Sequence, residues 1–371
     1  MRVMITGADG FIGRNLRLRL SQRPDVEVVP FTRQHDPSEL PALLHNVDVI
    51  FHLAGINRPQ DSSEFAAGNA ALTRALCAGV LETGRAIRTI YSSSTQAAGQ
   101  SGYGMSKRDA EASLFRLREQ SGSPIHVFRL PNVFGKWCRP NYNSVVATFC
   151  HNIARHLPIR INDPAAPLTL VYVDDVVERF IQLMDGAAAS VDGEGFESIA
   201  PQYTTTVGEL ATQIERFKAV RTSLLTERVG HGLIRALYAT YVSYLPPDAF
   251  SYDVARHTDP RGVFVEFLKT PDCGQFSYFT AGPGVTRGGH YHNSKTEKFL
   301  VIKGRARFRF RHMQSGEVFE LQTDEAMARI VETVPGWTHD ITNIGSDDMV
   351  VMLWANEMFD RSRPDTYACA L

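Results

Sequence analysis

The sequence has few of the features that mark secreted, disulfide-bonded or nucleic-acid-binding proteins. Its 371 residues include only five cysteines, an odd number, and no two of them form a C-x-x-C pair. They are scattered along the chain, at Cys77, Cys138, Cys150, Cys273 and Cys369. A disulfide framework or a thiolate zinc site is therefore not expected, and a reducing compartment fits best. The formal net charge is -1 and no long basic run occurs, so no nucleic-acid partner is expected.

Long hydrophobic runs are missing too. The longest, LIRALYATYVSYL from Leu233 to Leu245, contains Arg235 and is too short to span a membrane as a helix. It predicts a packed helix or an interdomain cover instead. The first predicted strand begins at Arg2, so no signal peptide precedes it. We therefore expect a cytoplasmic protein with no membrane partner.

The first part of the chain alternates short apolar runs with longer helical segments. The predicted strands are RVMIT, VEVVPFT, VDVIFHLA, IRTIYSSS and IHVFRLP, and segments such as Asn69–Gly84 and Ser106–Gly122 have helical spacing. This alternation predicts a Rossmann-type α/β fold, a parallel sheet with helices on both faces. The mixed segments Asn143–His156 and Asp174–Met184 predict a small substrate cap on that sheet.

The pattern changes near residue 244. Two prolines follow the hydrophobic helix, and the remainder consists of short strands and turns such as GVFVEFLK, GQFSYFTA, EKFLVIKG and RARFRFRH. Strands at short, regular intervals predict an all-β barrel or jelly roll of ~120 residues. The predicted domains are therefore residues 1–243 and 244–371.

A glycine-rich stretch, TGADGFIG, follows the first strand and opens a helix. Glycines there permit a tight turn and let backbone N–H groups approach a pyrophosphate at the helix N-terminus. At the end of the second strand, Arg33 stands where an acidic residue would bind a ribose 2′-hydroxyl, which favours NADPH, although Asp36 lies close by. The predicted cofactor-binding residues are Gly7, Gly10, Phe11, Ile12, Gly13, Thr32, Arg33, Leu53, Ala54, Gly55, Tyr103 and Lys107.

A serine-tipped strand and a Y-x-x-x-K pair follow. On a helix, Lys107 lies on the same face as Tyr103, and its ammonium is expected to lower the pKa of the phenol. Tyr103 would then protonate a carbonyl oxygen while hydride reaches the carbon, and Ser94 would hydrogen-bond that oxygen. We predict Ser94, Tyr103 and Lys107 as catalytic residues.

In this order the motifs resemble the extended short-chain dehydrogenase/reductase family, whose members act on nucleotide sugars. The resemblance covers about Met1–Val242 and includes RLPNVFG, with Asn132 near the sugar diphosphate, and LVYVDDVV. In the stretch GKWCRPNYN that follows, we predict substrate contacts, although Trp137 could equally be a core residue. The candidates are Asn132, Lys136, Trp137, Arg139, Asn141, Tyr142 and Asn143.

A second constellation lies between Gly284 and Gly304. His290 and His292 point to one face of a strand because the side-chain period is two. Glu297 follows on the next strand, and His339 comes from a later hairpin. Three imidazoles and a carboxylate suit a divalent transition metal, with zinc the first choice.

The spacing G-x5-H-x-H-x4-E-x6-G resembles the first motif of the cupin family, whereas the second motif, around His339, matches only in part. The resemblance leaves open whether a metal is present and whether water replaces His292 as a ligand. The stretch DPRGVFVE resembles deoxysugar-epimerase cupins, which implies that Arg261 and Glu266 hold the nucleotide sugar. A turn with a salt bridge is the structural alternative.

Taken as a whole, the chain resembles bifunctional enzymes of capsule and O-antigen synthesis. The resemblance implies that the cupin domain epimerises C3 of a UDP-linked 4-keto-2-acetamido-2,6-dideoxyhexose and that the first domain reduces C4 with NADPH. The product would be UDP-2-acetamido-2,6-dideoxy-L-talose, a precursor of N-acetyl-L-fucosamine. Epimerisation must come first, since reduction removes the ketone that acidifies the neighbouring C–H. The alternatives are a single-activity reductase with a structural, dimerising cupin and a non-enzymatic NADP sensor, and a homodimer is expected.

Overall fold

A computed structural model describes residues 1–57, 65–246, 249, 252–292, 295–313, 315–327, 329–333, 337–362 and 364–371. The chain forms two compact units. The first comprises Met1–Ile214 and Ala236–Leu245, and the second comprises Glu215–Arg235 and Pro246–Leu371. No helix within the described ranges combines the length and hydropathy needed to span a bilayer.

The first unit is built on a five-stranded parallel sheet with the strand order β2-β1-β3-β4-β5. Its strands are β1 (Arg2–Thr6), β2 (Glu27–Phe31), β3 (Val49–His52), β4 (Arg88–Ser94) and β5 (Ile125–Leu130). All four residues of β3 are buried, and four of the five in β1 are. Such continuous apolar strands are typical of a sheet covered on both faces, so the predicted α/β fold is confirmed.

The helices of this unit separate the strands. The α-helices are α1 (Phe11–Leu20), α2 (Leu40–Leu44), α3 (Leu72–Glu82), α4 (Gly102–Ser121), α5 (Val145–Ala154), α6 (Val173–Met184), α7 (Val207–Ser223) and α8 (Gly232–Ser243). The last part of α7 and the first four residues of α8 belong to the second unit. A separate small sheet contains β6 (Asn132–Phe134), β7 (Pro167–Tyr172) and β8 (Tyr203–Thr206). The carboxyl ends of β1, β3 and β4 meet at one edge of the parallel sheet, where α/β folds bind ligands.

The second unit contains two antiparallel sheets. One has six strands in the order β16-β13-β18-β11-β10-β9, and the other has five in the order β15-β14-β17-β12-β19. The strands are β9 (His257–Asp259), β10 (Gly262–Thr270), β11 (Gly274–Ala281), β12 (Thr286–Tyr291), β13 (Glu297–Lys303), β14 (Arg305–His312), β15 (Val318–Asp324), β16 (Ile330–Glu332), β17 (Trp337–Asn343), β18 (Met349–Ala355) and β19 (Tyr367–Ala368).

One buried cluster joins these two sheets. Phe299 and Val351 come from the six-stranded sheet, and Phe308 and Ile341 come from the five-stranded sheet. The ring centroids of Phe299 and Phe308 are 5.8 Å apart. Packing two inner faces in this way leaves the strand ends free to carry polar groups, and the predicted all-β architecture is confirmed.

Candidate active sites

The turn after β1 has the geometry of a nucleotide-binding loop. Gly7 has φ +68°, and a Cβ added there would lie 2.7 Å from the backbone N of Ala54. A Cβ added to Gly13 would lie 2.3 Å from the carbonyl oxygen of Gly7. Both positions therefore require glycine. The predicted residues Gly10, Phe11 and Ile12 form the start of α1, where unpaired N–H groups favour an anion.

The end of β3 is fixed against this loop. The Thr6 hydroxyl accepts hydrogen bonds from the backbone N–H groups of Leu53 and Ala54, both at 3.2 Å. It also lies 2.7 Å from Nδ1 of His52, whose pKa is lowered to about 3 by burial, so the imidazole is neutral. The structure thus brings Leu53, Ala54 and the exposed Gly55 to the same sheet edge as the glycine loop.

After β2 the chain carries an exposed cationic side chain, Arg33, and a hydrogen-bonded carboxylate, Asp36. Arg33 is exposed and has no ion pair among the described residues. Asp36 accepts a hydrogen bond from the Ser38 backbone N–H at 2.9 Å, and its own N–H donates to Glu39 Oε1 at 2.6 Å, which forms a capping box. The Ser38 backbone hydrogen bond holds the pKa of Asp36 below its usual value.

Ser94, Tyr103 and Lys107 meet where β4 ends and α4 begins. Ser94 is the last residue of β4, and its hydroxyl is close enough to the Tyr103 phenol to favour a lower phenol pKa. Lys107 is buried, donates to the carbonyl oxygen of Ser92 at 2.9 Å and lies 6.0 Å from the centre of the Tyr103 ring. The three side chains are therefore brought together as the motif predicts.

The protonation behaviour differs from the prediction in one respect. Burial raises the pKa of Tyr103, and the nearby Ser94 hydroxyl only partly offsets that increase. Burial also lowers the pKa of Lys107 to about 8, against a smaller opposing effect of Glu111. The predicted lowering of the phenol pKa by Lys107 is therefore wrong for this geometry, because burial of the phenol dominates.

Asn69 belongs to this site and escaped the sequence prediction. Its side chain is buried, accepts from the Ile56 N–H at 2.8 Å and donates to the Ile56 carbonyl at 3.0 Å and to the Ser106 hydroxyl at 2.9 Å. It thereby links the chain after β3 to the helix that carries Lys107. The available signal was an asparagine in a helical segment, which that residue type disfavours unless it has a specific partner.

The predicted substrate segment is partly exposed and conformationally unusual. Trp137 and Asn141 have positive φ angles of +68° and +53°, and Trp137 is 42% exposed, so it is not a core residue. Lys136 Nζ lies 2.6 Å from Asp174 Oδ1. Of the remaining candidates, Arg139 stacks on Tyr142, Asn132 donates to Thr169, and Asn143 is exposed. Backbone strain of this kind clusters at ligand sites.

In the second unit, Arg261 and Glu266 are already paired. Arg261 Nη2 lies 2.6 Å from Asp259 Oδ2, and Lys269 Nζ lies 3.0 Å from Glu266 Oε2. Arg261 is exposed and directly precedes β10, so the turn with a salt bridge is present. A sugar contact by either residue stays a prediction.

His290, His292, Glu297 and His339 converge in one place. One potential ligand atom from each lies within 4.8 Å of all the others. His290 on β12 lies directly opposite His339 on β17 in the antiparallel pairing of these strands. A bulge at Gly288 and Gly289 sets this register. The predicted gathering of three histidines and one carboxylate is therefore present.

The chemistry of this cluster fits a divalent metal. Both ring nitrogens of His339 are buried without a hydrogen-bond partner among the described residues, and Nε2 lies 3.6 Å from Glu297 Oε2. Burial opposes ionisation of Glu297, but the adjacent His292 and the Lys295 ammonium outweigh it and hold its pKa below the usual value. Burial lowers the pKa of His290 to about 4. A neutral imidazole at His290 beside an ionised carboxylate at Glu297 is the form that zinc requires.

Comparisons with known proteins find a matching family for each of the two parts of the chain. Residues 3–197 match the NAD dependent epimerase/dehydratase family, and residues 257–367 match the polysaccharide biosynthesis C-terminal domain. A protein of Pseudomonas aeruginosa, UDP-2-acetamido-2,6-beta-L-arabino-hexul-4-ose reductase, is 61% identical over 100% of this chain and 99% of its own length. The chain belongs to the NAD dependent epimerase/dehydratase family.

Within this family the protein is CapF-like. The crystal structure of the capsular polysaccharide assembling protein CapF from Staphylococcus aureus has a TM-score of 0.92 and 39% identity, and the match covers 100% of both chains. CapF with the inhibitor 3-isopropenyl-tropolone matches with a TM-score of 0.86 and 36% identity over 100% of both chains. The predicted resemblance is confirmed, and family membership implies a nicotinamide cofactor for the CapF-like chain.

Proposed function

We propose that this chain is a bifunctional nucleotide-sugar enzyme of capsule or O-antigen synthesis. The observation that carries the proposal is the presence, in one chain, of a Ser94–Tyr103–Lys107 site and a buried cluster of three histidines and a glutamate. The first site suits the reduction of a ketone, and the second suits epimerisation at the carbon next to that ketone. The name of the relative, a reductase of a UDP-linked hexulose, supports this substrate class.

The first unit would perform the reduction at C4. The glycine loop and the residues after β2 would hold NADPH, which would supply a hydride to the carbonyl carbon. Tyr103 donates its phenolic proton to the oxygen, the Ser94 hydroxyl hydrogen-bonds that oxygen, and buried Lys107 supplies the positive charge that stabilises the resulting phenolate. A raised phenol pKa keeps the proton on Tyr103 until the alkoxide forms.

NADPH is the proposed cofactor because of the residues after β2. Arg33 is exposed and free to bind a 2′-phosphate, whereas the Asp36 carboxylate is engaged in its capping box. An engaged carboxylate is poorly placed to accept a hydrogen bond from the ribose of NADH. The engaged Asp36 carboxylate therefore supports NADPH over NADH.

In the second unit, His290, His292, Glu297 and His339 would hold a divalent metal, for which zinc is our proposal. Such an ion acts as a Lewis acid that stabilises negative charge on a carbonyl oxygen. The C–H at C3 is acidic because the C4 ketone delocalises the carbanion, so proton removal and return on the opposite face invert C3. The reductase step then fixes the new configuration, giving UDP-2-acetamido-2,6-dideoxy-L-talose from the UDP-4-keto-2-acetamido-2,6-dideoxyhexose.

We also propose a homodimer. On the outward face of the six-stranded sheet, Leu300 pairs with Ile330 and Met352, and the latter two side chains are 59% and 37% exposed. Exposed apolar neighbours of this kind favour burial against a second copy. Light scattering on the purified protein would give twice the chain mass, and a monomer would remove the proposal.

The decisive test of the bifunctional proposal is isotope exchange without reduction. The full-length protein, loaded with Zn²⁺ and incubated with the UDP-4-keto-sugar in D2O without NADPH, is expected to introduce deuterium at C3, detected by NMR. NADPH should then be consumed when added. Reduction without any prior exchange would leave a single-activity reductase whose second unit is structural.

A further inference from the structure

A short segment near the metal cluster lies along the strand that carries His290. This segment, which we call the strap, consists of Asp365–Ala370. Its strand β19 pairs with β12, with Ala368 opposite His290, and the Cys369 N–H donates to the carbonyl of Gly289 at 2.8 Å. Arg311 Nη2 donates to the Ala370 carbonyl at 2.7 Å. The strap is therefore fixed against the ligand strand by several bonds.

The strap also makes the outer contact of His292. Nδ1 of His292 lies 2.6 Å from the backbone carbonyl oxygen of Asp365. A carbonyl can only accept a hydrogen bond, so Nδ1 must carry the proton. The other nitrogen, Nε2, lies 3.1 Å from Glu297 Oε2 and is the atom directed into the cluster. One backbone group thus determines which nitrogen of His292 is available as a ligand.

Two further contacts hold the chain just before Glu297. The Asp365 carboxylate accepts from the Lys295 backbone N–H at 2.9 Å, and Lys295 Nζ donates to the Thr366 hydroxyl at 2.8 Å. The same Nζ lies 3.9 Å from Glu297 Oε1. The strap consequently contacts both His292 and the segment that leads into the glutamate.

The backbone at Asp365 is itself unusual. Its φ angle is +35°, in the left-handed region that aspartate and asparagine tolerate and that β-branched residues do not. This conformation directs the carbonyl toward His292 while the carboxylate reaches Lys295. Strained residues persist where surrounding contacts require them, and such positions concentrate at functional sites.

We propose that the strap is a positioning element of the metal site, in which the Asp365 carbonyl fixes the Nδ1–H tautomer and ring orientation of His292 and so sets the affinity for the metal. This inference rests on the metal site proposed above. A ligand histidine that lacks its outer hydrogen bond loses orientation and basicity, which typically costs about 10–100-fold in metal affinity.

The test compares three variants in Zn²⁺ competition titrations against a chromophoric chelator. Asp365→Val disfavours the left-handed backbone and is expected to weaken Zn²⁺ binding about 10–100-fold. Asp365→Asn tolerates the same backbone and is expected to restore the parental affinity to within about threefold. His156→Val places valine at another left-handed position, φ +57°, in the first unit, and should lower stability without changing Zn²⁺ affinity.

Equal affinities of the parent and Asp365→Val would overturn the proposal, and so would an equal loss in Asp365→Asn. Should Asp365→Val fail to fold, ¹⁵N–¹H NMR of the zinc-loaded parent gives the same information, since a proton on Nε2 of His292 contradicts the proposal and a proton on Nδ1 supports it. If the parent protein binds no Zn²⁺, the metal site proposed above is wrong, and this result is distinct from a failure of the strap alone.

Discussion

The two candidate sites are assembled in opposite ways. Ser94 lies at the end of β4, and Tyr103 and Lys107 both lie on α4, so a single local connection brings the three together. The metal cluster takes His290, Glu297 and His339 from three different strands, and a further segment supports His292. A local site depends on one helix start, whereas the distributed site depends on the register of β12 with β17 in one sheet and on the placement of β13 in the other.

Their electrostatics differ as well. In the first site, burial acts on a phenol and an ammonium, raising the pKa of Tyr103 and lowering that of Lys107. In the second, the adjacent His292 and Lys295 hold the pKa of Glu297 low despite burial, and burial lowers the pKa of His290 so that its imidazole is neutral. The first arrangement retains a proton for delivery to a substrate oxygen, and the second retains lone pairs for a cation. The contrast is between a proton donor and a metal ligand set.

The largest expected effect separates the two sites completely. Tyr103→Phe removes the proton donor, and the rate of NADPH oxidation with the keto-sugar should fall about 1,000-fold, as expected for the loss of a general acid. Deuterium incorporation at C3 should continue at the parental rate. Absorbance at 340 nm and NMR measure the two quantities on one sample.

The matched control for this variant is Tyr278→Phe, which changes a half-buried tyrosine of β11 in the second unit. It should leave NADPH oxidation unchanged. If Tyr103→Phe abolished deuterium incorporation together with reduction, the two activities would share one site, and the division of labour proposed here would be wrong.

The second effect acts on the other site. Glu297→Gln removes the only carboxylate that the described residues contribute to the cluster, and Zn²⁺ affinity should fall at least roughly 100-fold, the upper end of the loss seen for supporting residues. Deuterium incorporation should fall with it, while NADPH binding stays constant. Glu332→Gln, an exposed glutamate of β16 paired with Lys298, is the control. Unchanged metal content in Glu297→Gln would exclude Glu297 as a ligand.

This contrast also explains what the sequence could predict. The glycine loop, the Y-x-x-x-K helix and the alternation of strands and helices are local patterns, so the α/β fold and the first site were predictable. The spacing of His290, His292 and Glu297 and the partial second motif around His339 predicted all four cluster residues, and the pairing of β12 with β17 shows how His290 and His339 meet. Asn69 and the strap act through tertiary hydrogen bonds, which no local pattern encodes.

The protonation states were the least predictable part. The sequence places Lys107 one helical turn from Tyr103, which predicts a lowered phenol pKa. The actual shift depends on how much water the fold removes from each group, and burial reverses the expected direction for Tyr103. Spacing determines neighbours, whereas desolvation is a property of the packed domain.

A smaller effect concerns cofactor choice in the first site. Arg33→Ser removes the exposed guanidinium after β2. The ratio of kcat/KM for NADPH to that for NADH should then fall roughly 10–100-fold, because a hydrogen bond to a charged group contributes about 1.5–3 kcal/mol. Arg85→Ser, which removes an arginine paired with Asp48, is the control and should leave the ratio unchanged. An unaltered ratio in Arg33→Ser would assign the 2′-phosphate to another residue.

The smallest effect is a pH dependence that only the first site should have. The pKa of Lys107 is lowered to about 8 from its ordinary value of 10.5 by burial, so its ammonium loses the proton as pH rises through about 8. The reductase rate should therefore fall by half near pH 8 and about tenfold one unit higher, whereas deuterium incorporation should show no inflection there. Stability should change in the opposite direction. Between about pH 8 and 10.5 the unfolded chain binds more protons at Lys107 than the folded one, so this group's contribution to the free energy of unfolding increases with pH. A reductase rate that stays constant from pH 7 to 9.5 would show that the charge of Lys107 is not required, and the contrast between the two sites would then rest on Tyr103 alone.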